Sequence, residues 1–281
     1  MIRPEQKKLF AVIGNPVRHS LSPIMMSAAF QAMGVQALYA ALYVDELVQD
    51  LELLHKAGYS GLSVTVPYKE IACRLSVEID ETAEDIGAVN TLLRSNIGWQ
   101  GRNTDWIGAL RALSRVAEIG DRSALVLGAG GAARAVAYGL RRAGASVTIS
   151  NRCVERGRNL SERFLCDFIP LSSLEETRTD FDIVVQCTSV GLAENSQAAI
   201  VSDSFFRPEM TVMDIVYGSR ETAFSKSAGM AGCRIVSGLD MLLYQGAAQI
   251  EWWLGRPVPE TPVIAAMREA LEESAHNGKP R

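Results

Sequence analysis

The chain lacks a long hydrophobic run, an excess of positive charge, paired cysteines and a cluster of histidines. Each absence removes a class of function. No apolar stretch approaches the roughly 20 residues that a membrane-spanning helix requires. The net charge is −4, so no basic surface is offered to nucleic acid or to an anionic membrane. The five cysteines, Cys73, Cys153, Cys166, Cys187 and Cys233, are scattered and contain no C-x-x-C pair. That argues against a disulfide framework and against a zinc site. The three histidines, His19, His55 and His276, lie far apart, so no metal is expected. The start, Met1 to Lys8, is polar, and the apolar run Leu9 to Ile13 is too short for a signal-peptide core. A cytoplasmic location is the expectation.

What is present describes an ordinary globular protein. The chain has 281 residues, 48% hydrophobic and 21% charged, enough for one large or two modest domains. No internal repeat or low-complexity segment stands out. Strand-like runs are expected at Leu9–Gly14, Tyr39–Val44, Gly61–Val66 and Ala88–Leu93. Helical spacing is expected over Pro23–Met33, with Ser22 as N-cap and Pro23 at the first position, and over Val48–Ala57. Such alternation predicts an α/β fold with parallel pairing. Asp105 to Val116 reads as a helix linking two lobes. The alternation restarts with strands at Ala124–Leu127, Ser146–Ser150, Ile183–Gln186 and Thr211–Ile215, and the tail from Leu239 reads as helical.

Val64-Thr65-Val66-Pro67-Tyr68-Lys69 begins as a β-branched strand and stops at a proline, which cannot donate to a sheet ladder. Lys69 just beyond is either a proton-transferring amine facing a cleft or a solvated strand-end lysine. His19-Ser20-Leu21-Ser22-Pro23 places two hydroxyls at a helix start. Ser20 and Ser22 can hold a carboxylate there with help from the helix dipole, or Ser22 can serve only as a cap. Asp105, in Asn103-Thr104-Asp105, either caps the linking helix or stands opposite Lys69. Asn90 either binds a substrate hydroxyl or only closes a strand-to-turn junction.

Gly128-Ala129-Gly130-Gly131-Ala132-Ala133 follows a strand and opens a helix. Gly128, Gly130 and Ala133 fit the G-x-G-x-x-G/A dinucleotide fingerprint. The first glycine permits the tight turn, and the second lets backbone approach a pyrophosphate. The end of the next strand decides the cofactor. An acidic residue there would bind the ribose 2′-hydroxyl of NAD, whereas this chain has Asn151-Arg152. A guanidinium suits the 2′-phosphate of NADP, and Arg156 one turn on can join it. Glu155 beside them keeps NAD open.

With these residues in view, the chain resembles the shikimate dehydrogenase family. The resemblance rests on Gly14-Asn15-Pro16 with His19-Ser20-Leu21-Ser22-Pro23, on Val64 to Lys69, on Gly87-Ala88-Val89-Asn90-Thr91 and on Asn103-Thr104-Asp105. It continues through Gly128 to Arg134, Asn151-Arg152 and Gly238-Leu239-Asp240-Met241-Leu242 with Gln245, in order along nearly the whole chain. It implies two lobes: an N-terminal α/β substrate-binding domain, 1–104, and a Rossmann-type domain, 105–237. The C-terminal helical segment, 238–281, returns to the first lobe. It also implies reversible hydride transfer between NADP and shikimate, giving 3-dehydroshikimate, in the chorismate pathway of aromatic amino acid biosynthesis. The partner is then a small cyclic hydroxy acid, and the enzyme a monomer or homodimer.

The same resemblance assigns roles. Lys69 and Asp105 would handle the hydroxyl proton, and Ser20 and Ser22 would hold the substrate carboxylate. Thr65, Asn90, Asp105 and Gln245 would read the ring hydroxyls, with Tyr217 nearby. Gly128, Ala129, Gly130, Gly131, Ala132, Asn151, Arg152, Arg156 and Thr188 would hold the cofactor, and Ile215 and Gly238 would line its nicotinamide. Five positions depart from the usual family pattern. Ser63 replaces asparagine, Trp106 replaces glycine after Asp105, and Gln186 replaces asparagine before Thr188-Ser189. Ile215 replaces methionine, and Cys153 replaces threonine after Asn-Arg. The alternatives are a member acting on quinate, an aminoshikimate or a related ring hydroxy acid, which Trp106 pointing into the pocket would favour, and a nucleotide-binding sensor without catalysis.

Overall fold

The computed structural model describes residues 7–177, 180–192, 199–217 and 221–276. The ends of the first and last expected segments lie outside these residues. The chain divides into two compact units, Met1–Thr104 with Leu243–Arg281, and Asp105–Leu242. Each is built on a sheet of six strands.

The first unit runs β1 (Lys8–Gly14), α1 (Ser22–Ala32), β2 (Ala37–Tyr43), α2 (Leu47–Lys56), β3 (Gly61–Val64), α3 (Lys69–Leu75), β4 (Glu78–Ile79), α4 (Glu81–Ile86), β5 (Thr91–Ser95) and β6 (Gly98–Arg102). The sheet order is β2-β1-β3-β5-β6-β4. β1 is parallel to β2 and β3, but β5 runs antiparallel to both β3 and β6. This corrects the expectation of parallel pairing throughout. β5 and β6 close on each other through Ser95 paired with Gly98, a two-residue hairpin. A parallel pair needs a crossover of about a dozen residues, which this loop does not have.

Three boundaries also differ from expectation. β3 stops at Val64 rather than Val66. Thr65 still donates its N–H to the Ile13 carbonyl, 3.0 Å, but the chain then turns, with the Tyr68 N–H on the Thr65 carbonyl at 3.0 Å. Lys69 is therefore the first residue of a helix, not the free end of a strand. Ser22 is the first residue of α1, with Leu21 before it, so Ser22 is not the cap. The last expected strand of this unit begins at Thr91, three residues later than Ala88.

The second unit runs α5 (Asp105–Ser114), β7 (Ser123–Leu127), α6 (Gly131–Arg142), β8 (Ser146–Asn151), α7 (Val154–Phe164), β9 (Asp167–Pro170), β10 (Ile183–Gln186), β11 (Thr211–Asp214), α8 (Ala223–Met230) and β12 (Arg234–Ser237). Its sheet is parallel throughout, in the order β9-β8-β7-β10-β11-β12. Counted from β7, that is the 3-2-1-4-5-6 order of the dinucleotide-binding fold. Its central strands β7, β10 and β11 are buried along almost their whole length, as strands covered on both faces are. Leu125, Leu127, Val184 and Val212 are all buried in one core cluster.

The tail forms α9 (Gly238–Leu254) and α10 (Glu260–His276). In the first unit, α9 lays one stripe against the sheet. Gln245, Gln249 and Trp253 recur at spacing four, which brings side chains onto one helix face. The Trp253 indole donates to the Leu92 carbonyl, 2.9 Å, and stacks on Phe10 with ring centroids 4.8 Å apart. Among the described residues, no helix is long and apolar enough to cross a membrane.

Candidate active site

In the first unit, strands β1, β3 and β6 point the same way. Their C-terminal ends therefore share one edge of the sheet, and the start of antiparallel β5 lies there too. Ser20 and Ser22 follow β1, Thr65 and Lys69 follow β3, Asn90 precedes β5, and Asn103-Thr104 follow β6. An α/β sheet binds ligands at this edge, where side chains from several loops converge. The Asn15 N–H reaches the Val66 carbonyl, 3.0 Å, tying the loop after β1 to the Thr65 segment. Ser20 Oγ accepts from the Ser22 N–H at 3.2 Å, so the two serines form one turn at the start of α1. The Lys69 carbonyl takes the Val89 N–H, 2.9 Å, which brings the Gly87–Thr91 segment against α3.

Asn90 is the hub of this edge and is 2% exposed. Its Nδ2 donates to Thr104 Oγ1 at 3.0 Å and to Gln245 Oε1 at 3.2 Å. Its Oδ1 accepts from the Thr104 N–H and from the Thr91 hydroxyl, both at 2.7 Å. A buried amide whose acceptor and donors are all engaged holds one orientation. The fold thus unites Asn90 with Gln245 and with Thr104, next to Asp105 in the chain. Asn103 stands behind them, its Nδ2 on the Ala88 carbonyl at 2.8 Å.

In the second unit the expected cofactor residues again share one edge, the C-terminal ends of the parallel strands. Gly128 follows β7 with φ +122°, a conformation that favours glycine, and a Cβ there would stand 3.1 Å from the Cys187 carbonyl oxygen. Gly130 precedes α6, and no side chain caps the helix start. A Cβ on Gly130 would meet no described atom within 4 Å. Uncapped N–H groups, a helix dipole and open space together fit a pyrophosphate. Ala129, Gly131 and Ala132 complete this turn. β7 and β10 are the neighbours at which the strand order reverses, so the glycine turn flanks the fold's switch point.

Asn151 ends β8, and its Nδ2 donates to the Cys153 carbonyl at 2.9 Å, shaping the turn that carries Arg152. Arg152 and Arg156 are exposed, the second within the first turn of α7. The guanidinium stands where a carboxylate would select NAD, so the donor set fits a 2′-phosphate. Thr188 lies in a turn that Gln186 staples. Gln186 Oε1 accepts the Thr188 N–H, while its Nε2 donates to the Val190 carbonyl at 3.0 Å. The longer amide in place of the usual asparagine spans the turn from both sides. Gly238 opens α9, and a Cβ there would sit 2.7 Å from the carbonyl carbon of Ile215. Backbone can approach Ile215 this closely only without a side chain.

Asp105 is the first residue of α5 and is buried. Burial, with the Asp105 carboxylate, pushes the Tyr217 phenol up to about 12. Those two expected site residues thus sit within electrostatic reach of each other. Trp106, expected to discriminate substrates, packs on α6. Its ring meets Tyr138 edge-on at 5.7 Å, and the Arg142 guanidinium lies 5.6 Å from its centroid. The indole fills the α5–α6 contact.

Comparison with known proteins identifies the family. Residues 12–92 match the model of the shikimate dehydrogenase substrate binding domain, 111–215 that of shikimate / quinate 5-dehydrogenase, and 238–272 that of the shikimate 5′-dehydrogenase C-terminal domain. The NADP(+) shikimate dehydrogenase of Syntrophobacter fumaroxidans is 58% identical, over 97% of this chain and 96% of its own length. The chain belongs to the shikimate dehydrogenase family. Among solved members, shikimate dehydrogenase from Aquifex aeolicus superposes with a TM-score of 0.86 at 36% identity, covering 95% of this chain and all (100%) of its own. Shikimate 5-dehydrogenase from Thermus thermophilus, crystallised with NADP(H) and shikimate, gives 0.84 at 36% identity, covering 94% of this chain and 99% of its own. The fold, two α/β units of which one is Rossmann-type, is the family's.

Residue-by-residue reading of the sequence passed over Tyr39 and Gln249, and it marked Gln186 only as a departure from the family pattern. Each takes its meaning from its hydrogen-bond partners, which lie on other elements or in the next turn. For Gln249, a faint signal existed: it stands one helical turn from Gln245.

Proposed function

We propose that this chain is an NADP-linked oxidoreductase that interconverts shikimate and 3-dehydroshikimate. The observation that carries the reading is a single sheet edge bearing Ser20, Ser22, Thr65, Lys69 and Asn90, with Gln245 of α9 bonded to it, in a chain 58% identical to an NADP(+) shikimate dehydrogenase. Hydroxyls, amides and one amine are the groups a polyhydroxylated ring acid requires, and the sheet edge holds all of them.

The roles follow from chemistry. Ser20 and Ser22, at the start of α1, hold the carboxylate with the helix dipole behind them. Thr65, Asn90 and Gln245 read ring hydroxyls, with Tyr217 beside Asp105 contributing its phenol, which stays protonated at neutral pH. Lys69 Nζ takes up or returns the proton of the reacting hydroxyl, and the Asp105 carboxylate orients that exchange. Gly128 to Ala132 hold a pyrophosphate at α6, and Asn151, Arg152 and Arg156 hold the 2′-phosphate. Thr188, Ile215 and Gly238 line the nicotinamide end. The cofactor supplies the hydride chemistry, and the protein supplies binding and orientation.

A place in the chorismate pathway, a cytoplasmic location, and a monomeric or homodimeric state accompany this reading. Quinate is the rival substrate. Packing of Trp106 on α6 takes away the reason to favour it.

The test is Lys69→Ala. Loss of a proton-transfer group should lower turnover of shikimate by roughly 10²- to 10⁴-fold, with cofactor affinity nearly intact. Turnover equal to the parent's would overturn the assignment.

A further inference from the structure

Ser63 does not behave as a substrate-reading residue in this chain. It sits in the middle of β3, 7% exposed, and its hydroxyl is engaged on both sides. The Tyr39 hydroxyl donates to Ser63 Oγ at 2.6 Å, and Ser63 Oγ donates to Gln249 Oε1 at 2.5 Å. Gln249 then donates its Nε2 to the Asn90 carbonyl at 3.2 Å. That carbonyl also accepts the Val64 N–H at 2.7 Å, so it lies between the end of β3 and α9. Asn90 continues the chain through its own Nδ2 to Gln245 Oε1.

Tyr39, on β2, and Gln249, on α9, are both buried. The line of donors has a direction. A tyrosine hydroxyl has one proton, and it goes to Ser63. The serine proton is then committed to Gln249, which fixes that amide with Oε1 toward β3 and Nε2 toward Asn90. A flipped amide would set Nε2 against the proton of the Ser63 hydroxyl and Oε1 against the Asn90 carbonyl oxygen. Gln245 and Gln249 are one turn apart on α9, so fixing one amide fixes the rotation of the helix face that carries the other. Serine is short enough to stand between Tyr39 and Gln249, which suits the departure from asparagine at this position.

We propose that Ser63 and Gln249 are positioning residues, which hold Asn90 and Gln245 in the register that reads the substrate's ring hydroxyls through a one-way hydrogen-bond relay starting at Tyr39. This rests on the functional reading above.

The experiment measures KM for shikimate, KM for NADP⁺, kcat and the unfolding midpoint for four variants beside the parent. Ser63→Ala and Gln249→Leu should raise KM for shikimate by roughly tenfold, the size expected when one buried hydrogen bond no longer sets geometry. Their kcat and KM for NADP⁺ should stay within about twofold of the parent, on the same scale. Gln249→Glu keeps the acceptor for Ser63 but loses the N–H for Asn90, so it should match Gln249→Leu. Tyr39→Phe removes only the head of the relay and should change KM by less than about threefold, the small end of a net hydrogen bond. Combining Ser63→Ala with Gln249→Leu should add little beyond either alone, because both break one chain.

A lowered unfolding midpoint with unchanged KM for shikimate in every variant would make the network structural only and overturn the proposal. Equal rises in the KM of shikimate and of NADP⁺ would overturn it as well. A parent that turns over no shikimate would instead overturn the functional reading, so the two failures are distinct. Should Gln249→Leu fail to fold, Gln249→Glu and Ser63→Ala carry the test.

Discussion

Asn90 Nδ2 lies 3.2 Å from Gln245 Oε1, a bond between residues 155 apart in sequence. It fastens α9 to the edge of the first sheet, at the residues proposed to read the ring. Asn90, proposed as a recognition group, is thus also a structural hub.

Removing that hub should be felt in stability as well as in binding. Asn90→Ala would remove the acceptor of the buried Thr104 N–H and the bond to Gln245 Oε1. The stranded Thr104 N–H should destabilise the protein by about 1–3 kcal/mol, the cost of one buried group left unsatisfied. Urea unfolding of parent and variant measures it. A difference below about 1 kcal/mol, the lower limit for one such group, would mean the network is not what holds α9 on the sheet.

The cofactor prediction concerns Arg152. A guanidinium on a phosphate is a charge-assisted contact, worth more than a neutral one. Arg152→Ala should weaken NADP⁺ by roughly 10- to 100-fold and leave NAD⁺ within about twofold. Titration of both cofactors into both proteins reads the difference. Equal losses would show that Arg152 does not read the 2′-phosphate.

A third prediction follows from Asp214, at the end of β11. Its carboxyl is buried, and burial pushes its pKa above the usual 3.8, against hydrogen bonds from the Thr222 hydroxyl, the Val216 N–H and the Ser225 hydroxyl. A group that binds its proton more tightly when folded favours the folded state most while protonated. Its contribution is full below its unfolded pKa and is lost as pH rises through the folded value. Asp214→Asn cannot ionise. Relative to that variant, the parent should lose stability as pH rises from about 4, the unfolded carboxyl value, toward neutrality. Urea midpoints across that range, taken as a difference between the two proteins, check it. A parent that gains on the variant over the same interval would show a lowered pKa instead.

How much of this was legible beforehand depends on the kind of signal. The second sheet was readable because Ala124–Leu127, Ile183–Gln186 and Thr211–Ile215 are short, mainly apolar runs, and the glycine turn after β7 carries its own chemistry. The hairpin of β5 and β6 was not readable. Asn96-Ile97 is not a strong turn pair, and β6, Gly98–Arg102, has two glycines and an arginine where a strand pattern was sought. The short helices α3 and α4 were also missed, since each is held by its surroundings more than by its own pattern. Site residues that bring a motif, such as Lys69 and Arg152, could be named. Ser63 could be noted as unusual, but its partner Gln249 is 186 residues away, and no local pattern links them. Trp106 was legible as a large ring beside Asp105, yet its direction was settled only by Tyr138 and Arg142 on α6.

The most direct measurement is the initial rate of oxidation of shikimate and of quinate, each with NADP⁺ and with NAD⁺, followed by nicotinamide absorbance. The account predicts that shikimate with NADP⁺ exceeds the other three combinations in kcat/KM by roughly tenfold or more, the scale of one specific charge-assisted or hydrogen-bonded contact. Quinate turned over as well as shikimate, or NAD⁺ used as well as NADP⁺, would contradict it.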